Sequence, residues 1–136
     1  LYLPGRRSPQ WLKIKLVKRE EFVVGGYTIG KDTEAFAGLL LGTYDRRGAA
    51  TLRYAGMVGT GFTVAQRRDL RRSLDRQRSA KSPFAGPVAR PHPIFVQPTL
   101  VVEVAYAEIT QDGVLRHPSC QGVRADKDPS EVIRTP

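Results

Sequence analysis

Two short basic motifs stand near opposite ends of this 136-residue chain. Trp11-Leu12-Lys13-Ile14-Lys15 lies close to the N-terminus, and Arg124-Ala125-Asp126-Lys127 close to the C-terminus. Read as a strand, the first alternates: Leu12, Ile14 and Leu16 face one way, while Trp11, Lys13 and Lys15 face the other. Lys13 and Lys15 then stand about 7 Å apart on one face, a spacing suited to gripping a phosphate. Arg6, Arg7 and Lys18 add to this charge, and no acid precedes Glu20. The second motif sets a planar guanidinium, Arg124, and a compact ammonium, Lys127, around the carboxylate of Asp126, which can orient either. Pro118, Gly122 and Pro129 around it mark an exposed loop. Both motifs suit phosphate oxygens, and together they point to nucleotidyl transfer.

The bulk composition agrees. A length of 136 residues fits one domain with a proper core. The formal charge of +9 points to a polyanionic partner, nucleic acid before any other. One cysteine, Cys120, cannot form an internal disulfide, so a reducing, intracellular setting is expected. No run approaches the roughly 20 apolar residues of a membrane span, and no signal peptide is visible. The chain opens on Leu1 rather than Met, which suggests a piece of something longer.

The elements that must position these motifs are short. Residues 1–10 read as a Pro/Gly/Arg connector, followed by strands over 11–18 and 21–29. Gly25-Gly26 inside the second strand predicts a bulge or sharp bend. Residues 39–44 and 50–58 form a hairpin around Asp45-Arg46-Arg47-Gly48. Thr63-Val64-Ala65-Gln66 is a capping box opening a helix to about residue 77. Leu70 and Leu74 are its thin apolar stripe, so it should lie on the surface of the sheet. The rest of that helix carries Arg67, Arg68, Arg71, Arg72, Arg76 and Arg78 against Asp69 and Asp75 alone. These arginines are either a solvated face or a sequence-independent grip on phosphate backbone. Residues 79–93 read as a Pro-rich loop without regular structure. A long strand over 95–109, broken near Gln97-Pro98, is followed by a turn at Gln111-Asp112-Gly113 and a short strand over 114–116. A helical turn near residues 130–133 ends the chain. Five or six strands, one helix and no βαβ alternation describe a mainly β fold, a small antiparallel Greek-key barrel (OB-fold) with one inserted surface helix.

Several other signals do not stand. Gly25 to Lys31 fits G-x-x-x-x-G-K, but Asp32 follows where a P-loop needs Ser or Thr for Mg²⁺. Gly59-Thr60-Gly61 lacks the third glycine and the βαβ context of a dinucleotide site. His92 and His117 are isolated, so no metal site is expected, and no Ser, His and Asp group as a triad.

With these residues in view, the chain resembles a known family. Pro4-Gly5-Arg6-Arg7-Ser8, Trp11 to Lys15 and Phe22-Val23-Val24-Gly25-Gly26-Tyr27 look like the end of the nucleotidyltransferase domain of bacterial ATP-dependent DNA ligases. The resemblance is strongest to the ligase module of the multifunctional non-homologous end-joining enzymes. Leu39-Leu40-Leu41-Gly42, the run from Arg53 to Phe62, Ser82-Pro83-Phe84, Glu103-Val104, Ala107-Glu108, Leu115 to Ser119 and Gly122 to Pro129 agree with it. The similarity thus covers nearly the whole chain. It implies that Lys13 and Lys15, in motif V, contact the nucleotide α-phosphate. It implies equally that Arg124, Asp126 and Lys127, in motif VI, orient the pyrophosphate of ATP during enzyme adenylylation.

The same resemblance divides the chain into residues 1–18, the end of the nucleotidyltransferase domain and hinge, and 19–136, a DNA-binding OB-fold. It places a pivot at Lys18-Arg19-Glu20-Glu21. The implied partners are nicked or broken duplex DNA, ATP and the upstream nucleotidyltransferase domain, with no membrane. Mg²⁺ or Mn²⁺ would serve the whole enzyme without being held by this chain alone, and the implied state is a monomer in the bacterial cytoplasm, associated with the nucleoid. DNA would be gripped by charge, through Arg53, Arg67, Arg68, Arg71 and Arg72. The family's nucleophilic K-x-D-G lysine motif does not occur here, so this chain by itself is expected neither to form lysyl-AMP nor to seal nicks. Two alternatives stay open: a free-standing single-strand-binding OB module, with Tyr27, Tyr44, Tyr54 and Phe62 as stacking candidates, and the OB domain of an mRNA capping guanylyltransferase.

Overall fold

A computed structural model of the chain describes residues 18–31, 34–88, 90 and 92–133. The expected strand over 21–29 begins earlier, as β1 (Lys18–Thr28). Lys18, Arg19, Glu20 and Glu21, read from the sequence as a pivot, are therefore already paired strand, opposite Tyr106, Ala105, Val104 and Glu103. Residues 11–17, with Lys13 and Lys15, lie outside the described residues.

The hairpin forms as β2 (Gly38–Thr43) and β3 (Arg53–Val58). The helix α1 (Val64–Asp75) follows, then β4 (Ile94–Tyr106), β5 (Glu108–Ile109), β6 (Leu115–Arg116) and β7 (Ser119–Val123). One antiparallel sheet takes the order β3-β2-β1-β4-β7, with β5 and β6 as a separate pair. Its two outer strands approach each other where the Cys120 amide donates to the Thr60 carbonyl at 3.0 Å and the Thr60 hydroxyl to the Pro118 carbonyl at 3.0 Å. The ring of strands, with one helix between β3 and β4, is the OB-fold. At this junction Gly61 has φ +94°, and a Cβ there would run into the Cys120 backbone, so only glycine fits.

The capping box is present in both directions: the Gln66 amide donates to Thr63 Oγ1 at 3.1 Å, and the Thr63 amide to Gln66 Oε1 at 2.8 Å. Leu74 is the buried residue of the helix, and it joins Phe22, Val24, Tyr27, Leu41 and Val104 in the barrel interior. A polar clasp completes the docking. Tyr27 donates to Asp75 Oδ1 at 2.5 Å, and Arg71 Nε donates to both Asp75 oxygens at 3.0 Å.

Partial burial pushes the Asp75 carboxyl up, but these hydrogen bonds outweigh it and hold Asp75 below the ordinary carboxylate range. A depressed folded value adds stability that is complete above the unfolded value, about 3.9, and is lost as pH falls through the folded one. Asp75→Asn should accordingly cost about 1 kcal/mol at neutral pH, the figure being reduced for partial exposure. That gap to wild type should close in acid, as pH falls from the ordinary carboxylate range through the lower folded value, which urea titrations across pH will read.

The sheet has a second buried face. Val23, Leu40, Leu52, Val101 and Val132 form a cluster with Phe84, so β1 is buried continuously from Phe22 to Tyr27 rather than alternately. Phe84 and Val88, within the Pro-rich loop expected to lack regular structure, supply that cover. Leu52 and Phe84 bridge, the Leu52 amide donating to Pro83 O at 2.8 Å and the Ala85 amide to Leu52 O at 2.9 Å. The Phe84 ring lies so close that a Cβ on Gly25 would stand 2.6 Å from its Cζ. The predicted irregularity at Gly25-Gly26 is present, as a register shift between Val24 and Gly26. Opposite it, β4 bulges around Pro98, and residues 77–79 take up its free backbone: Gln97 N donates to Gln77 O at 2.8 Å and Ser79 N to Phe95 O at 2.9 Å.

Candidate functional site

The second basic motif follows β7 directly. That strand has one buried residue, Cys120, in Ser119–Val123 and no apolar alternation, so its sequence gave no strand signal. It pairs with β4 from Ala105↔Ser119 to Val102↔Val123, and the Arg124 amide extends the ladder to Val101 O at 2.8 Å. The chain then turns, with Lys127 N donating to Arg124 O at 3.2 Å. Asp128 caps a short 3-10 turn, Pro129–Glu131, by accepting from the Ser130 amide at 3.0 Å. Beyond it the Tyr44 amide donates to Val132 O at 2.9 Å, which straps the tail across β2.

This path brings Arg124, Asp126 and Lys127 together over the outer face of β1 and β4. Arg124 Nε and Nη2 donate to the two Asp126 oxygens at 3.3 and 3.4 Å. Its Nη1 meets Glu103 at 3.2 Å and Glu21 at 3.1 Å. Lys127 reaches the other Glu21 oxygen at 3.4 Å, and Arg19 reaches Glu103 at 2.7 Å. Asp126 raises the Arg124 pKa, and Arg124 in turn lowers that of Asp126. Asp126 stands behind Arg124, and Arg19, Glu21, Glu103, Arg124 and Lys127 line an open cleft of about 640 Å³ together with Glu20, Glu131, Val132 and Ile133. Its size and paired cations suit a phosphate chain; a guanidinium fork beside an ammonium can bind bridging and terminal oxygens at once.

Nothing local in the sequence marks Glu21, Glu103 and Arg19 as site residues. The signal that finds them is register: Glu21 and Glu103 are direct cross-strand partners, a like-charge pair that calls for cations between them.

The arginines expected to grip DNA fall into two groups. Arg67 and Arg71 turn inward. Arg67 donates to Phe36 O at 2.8 Å and to Gly59 O, and lies 5.4 and 5.5 Å from the Phe36 and Phe62 ring centres. Arg71 donates to Ala35 O at 2.7 Å and covers the Tyr27 ring at 5.1 Å. Arg68 and Arg72 lie exposed on the helix, the latter paired with Asp69. Arg53 is exposed on β3 and meets Asp45 at 3.0 Å. The proposed stacking aromatics are mostly structural: Tyr27 is fully buried, Tyr54 packs edge-on to Phe84, and Phe62 packs against Phe36. Among the described residues no group of three or more His, Cys, Asp or Glu could hold a metal, and no helix is long and apolar enough to cross a membrane.

The structure is thus a small OB barrel whose last strand runs into an Arg-x-Asp-Lys turn beside an open cleft. Comparison with known proteins agrees. Residues 32–127 match the family described as the ATP dependent DNA ligase C terminal region, and the chain belongs to that family.

Among its relatives is the multifunctional non-homologous end joining protein LigD of Mycolicibacterium smegmatis, 40% identical over 97% of this chain and 18% of that protein. The Pseudomonas aeruginosa protein of the same name is 41% identical over 94% of this chain and 16% of its own length. The chain thus spans less than a fifth of these relatives. The ligase domain from M. tuberculosis LigD superposes with a TM-score of 0.79 at 37% identity, over 86% of this chain and 38% of that one. A mycobacterial DNA ligase D complexed with ATP and MES gives 0.74 at 36% identity, over the same shares.

Proposed function

We propose that this chain serves as the OB domain of an ATP-dependent enzyme that joins 3′-hydroxyl and 5′-phosphate ends of duplex DNA, by two separate surfaces. Arg124 and Lys127, aligned by Asp126, hold the pyrophosphate of ATP while the enzyme is adenylylated; preplaced cations stabilise the charge that gathers on the leaving group. Lys13 and Lys15 hold the α-phosphate. Arg53, Arg68 and Arg72 contact the phosphate backbone, while Arg67 and Arg71 hold the helix that presents Arg68 and Arg72. Residues 1–18 belong with the upstream nucleotidyltransferase domain, whose nucleophilic lysine does the covalent chemistry, and Mg²⁺ or Mn²⁺ is bound by the assembled enzyme.

Because β1 is already paired at Lys18, the swing between the two working positions pivots at or before that residue. The observation that carries this reading is the convergence of the motif on one cleft beside the sheet.

Binding to nicked duplex, intact duplex and single strand of equal length, from about 50 to about 300 mM salt, tests the DNA surface. The expected result is sequence-indifferent binding to duplex, no weaker than to single strand, with a slope of log K on log salt of about −3 or steeper. A strong preference for single strand would overturn it and favour a free-standing single-strand-binding module.

A further inference from the structure

Glu21 and Glu103 lie directly opposite each other on β1 and β4, with side-chain exposures of only 24% and 22%. Like charges in that position repel, and partial burial weakens the screening that would relieve them. The arrangement stands because cations bridge it. Arg124 Nη1 sits between the two carboxylates, Lys127 meets the far oxygen of Glu21, and Arg19 meets the far oxygen of Glu103. Asp126 takes the remaining edge of the guanidinium. Three cations thus face three carboxylates, and the cluster is locally neutral in a chain of net charge +9. Every nitrogen of Arg124 already faces a carboxylate oxygen: Nε and Nη2 meet Asp126 as a fork, and Nη1, the donor turned to the sheet, is shared by Glu21 and Glu103.

We propose that Glu21 and Glu103 act as an internal anion that occupies the motif VI cations, so that a phosphate chain enters only by displacing them. This rests on the reading of Arg124 and Lys127 as pyrophosphate-binding residues. The two kinds of carboxylate do opposite things. Asp126, two residues from Arg124 on the same turn, aligns the guanidinium and stays with it. Glu21 and Glu103, on the sheet beneath, compete for the same donors. When Arg124 and Lys127 turn to a nucleotide, the glutamates are left facing each other with Arg19 as their remaining cation among the described residues, and that repulsion opposes the exchange. The pair therefore lowers the affinity of the site for phosphate whenever the domain stands away from the nucleotide, and keeps free pyrophosphate and other polyphosphates out of a strongly basic protein.

The test titrates inorganic pyrophosphate into this chain by calorimetry at low salt. Glu21→Gln/Glu103→Gln, which keeps shape and one acceptor oxygen at each site, should bind pyrophosphate about tenfold more tightly than wild type. The gain should vanish when Arg124→Ala is added, and Asp126→Asn should give none. Where the double variant does not fold, each single variant should show a smaller tightening of the same sign. Unchanged or weaker binding in folded glutamate variants would overturn the exchange. Failure of the underlying reading looks different: the glutamate variants would bind pyrophosphate tightly, yet Arg124→Ala would leave adenylylation of the whole ligase intact.

Discussion

In the whole ligase, Arg124→Ala should slow adenylylation from ATP by about 10²- to 10³-fold, the range found when one preplaced donor to a developing negative charge is removed. Sealing of a nick that already carries AMP on its 5′-phosphate should suffer far less, because that step releases no pyrophosphate. The contrast follows from the placement of Arg124. Its guanidinium stands at the mouth of the cleft with 40% of the side chain exposed, and its bonds all run to side-chain carboxylates rather than to backbone. The strand that carries it is fixed independently, by its pairing with β4 and by the strap from Val132 to Tyr44. Removing the side chain should leave the barrel folded. Arg124→Lys should recover little, since one ammonium cannot keep the two-pronged contact with Asp126 and hold a phosphate oxygen at the same time. Labelled ATP and pre-adenylated nicked DNA, assayed side by side, give both numbers. Equal loss in the two assays would move Arg124 from pyrophosphate handling to general positioning of the domain.

Local signals were legible where one segment holds all the information. The capping box Thr63 and Gln66, the double glycine that bends β1 and the proline that interrupts β4 each act within a few residues, and each shows in the structure. Two things were not legible, for the same reason. β7 has no apolar alternation because the end strand of the sheet meets the interior only through Cys120; its existence depends on β4. The cover formed by Phe84 over the outer face depends on strands far away in sequence, and the Pro-rich composition of residues 79–93 conceals it. The site follows this pattern. Arg124, Asp126 and Lys127 are close in sequence and were found together. Glu21 and Glu103 become neighbours only through the register of β1 on β4. A run of Lys-Arg-Glu-Glu looks like a solvated pivot until that register is known.

The helix arginines show how far side-chain type can mislead without contacts, and they give the second large prediction. Arg67→Ala should lower stability by about 2–4 kcal/mol, since hydrogen bonds from a charged donor contribute about 1.5–3 kcal/mol each and two cation–π contacts go with them. In a domain of this size that corresponds to roughly 7–14 °C in Tm. The cost has a definite source. Arg67 ties the start of the helix to Phe36 O and Gly59 O, on the connections leading into β2 and out of β3, and fills the gap between the Phe36 and Phe62 rings. Those rings pack edge to face at 5.1 Å, and Phe36 belongs to the barrel interior. Without the guanidinium, the helix loses its anchor beside the closure at Thr60.

Arg72, five residues further along the helix, is the control. It is exposed and, among the described residues, pairs with Asp69 of its own helix, so Arg72→Ala should change stability by less than about 0.5 kcal/mol. It should instead reduce the salt slope of duplex binding by about 1. Thermal melts and salt-dependent titrations on both variants separate the two roles. An Arg67→Ala domain that melts like wild type but loses duplex affinity would return that arginine to the DNA surface. An Arg72→Ala domain with an unchanged salt slope would take the exposed face of the helix off it.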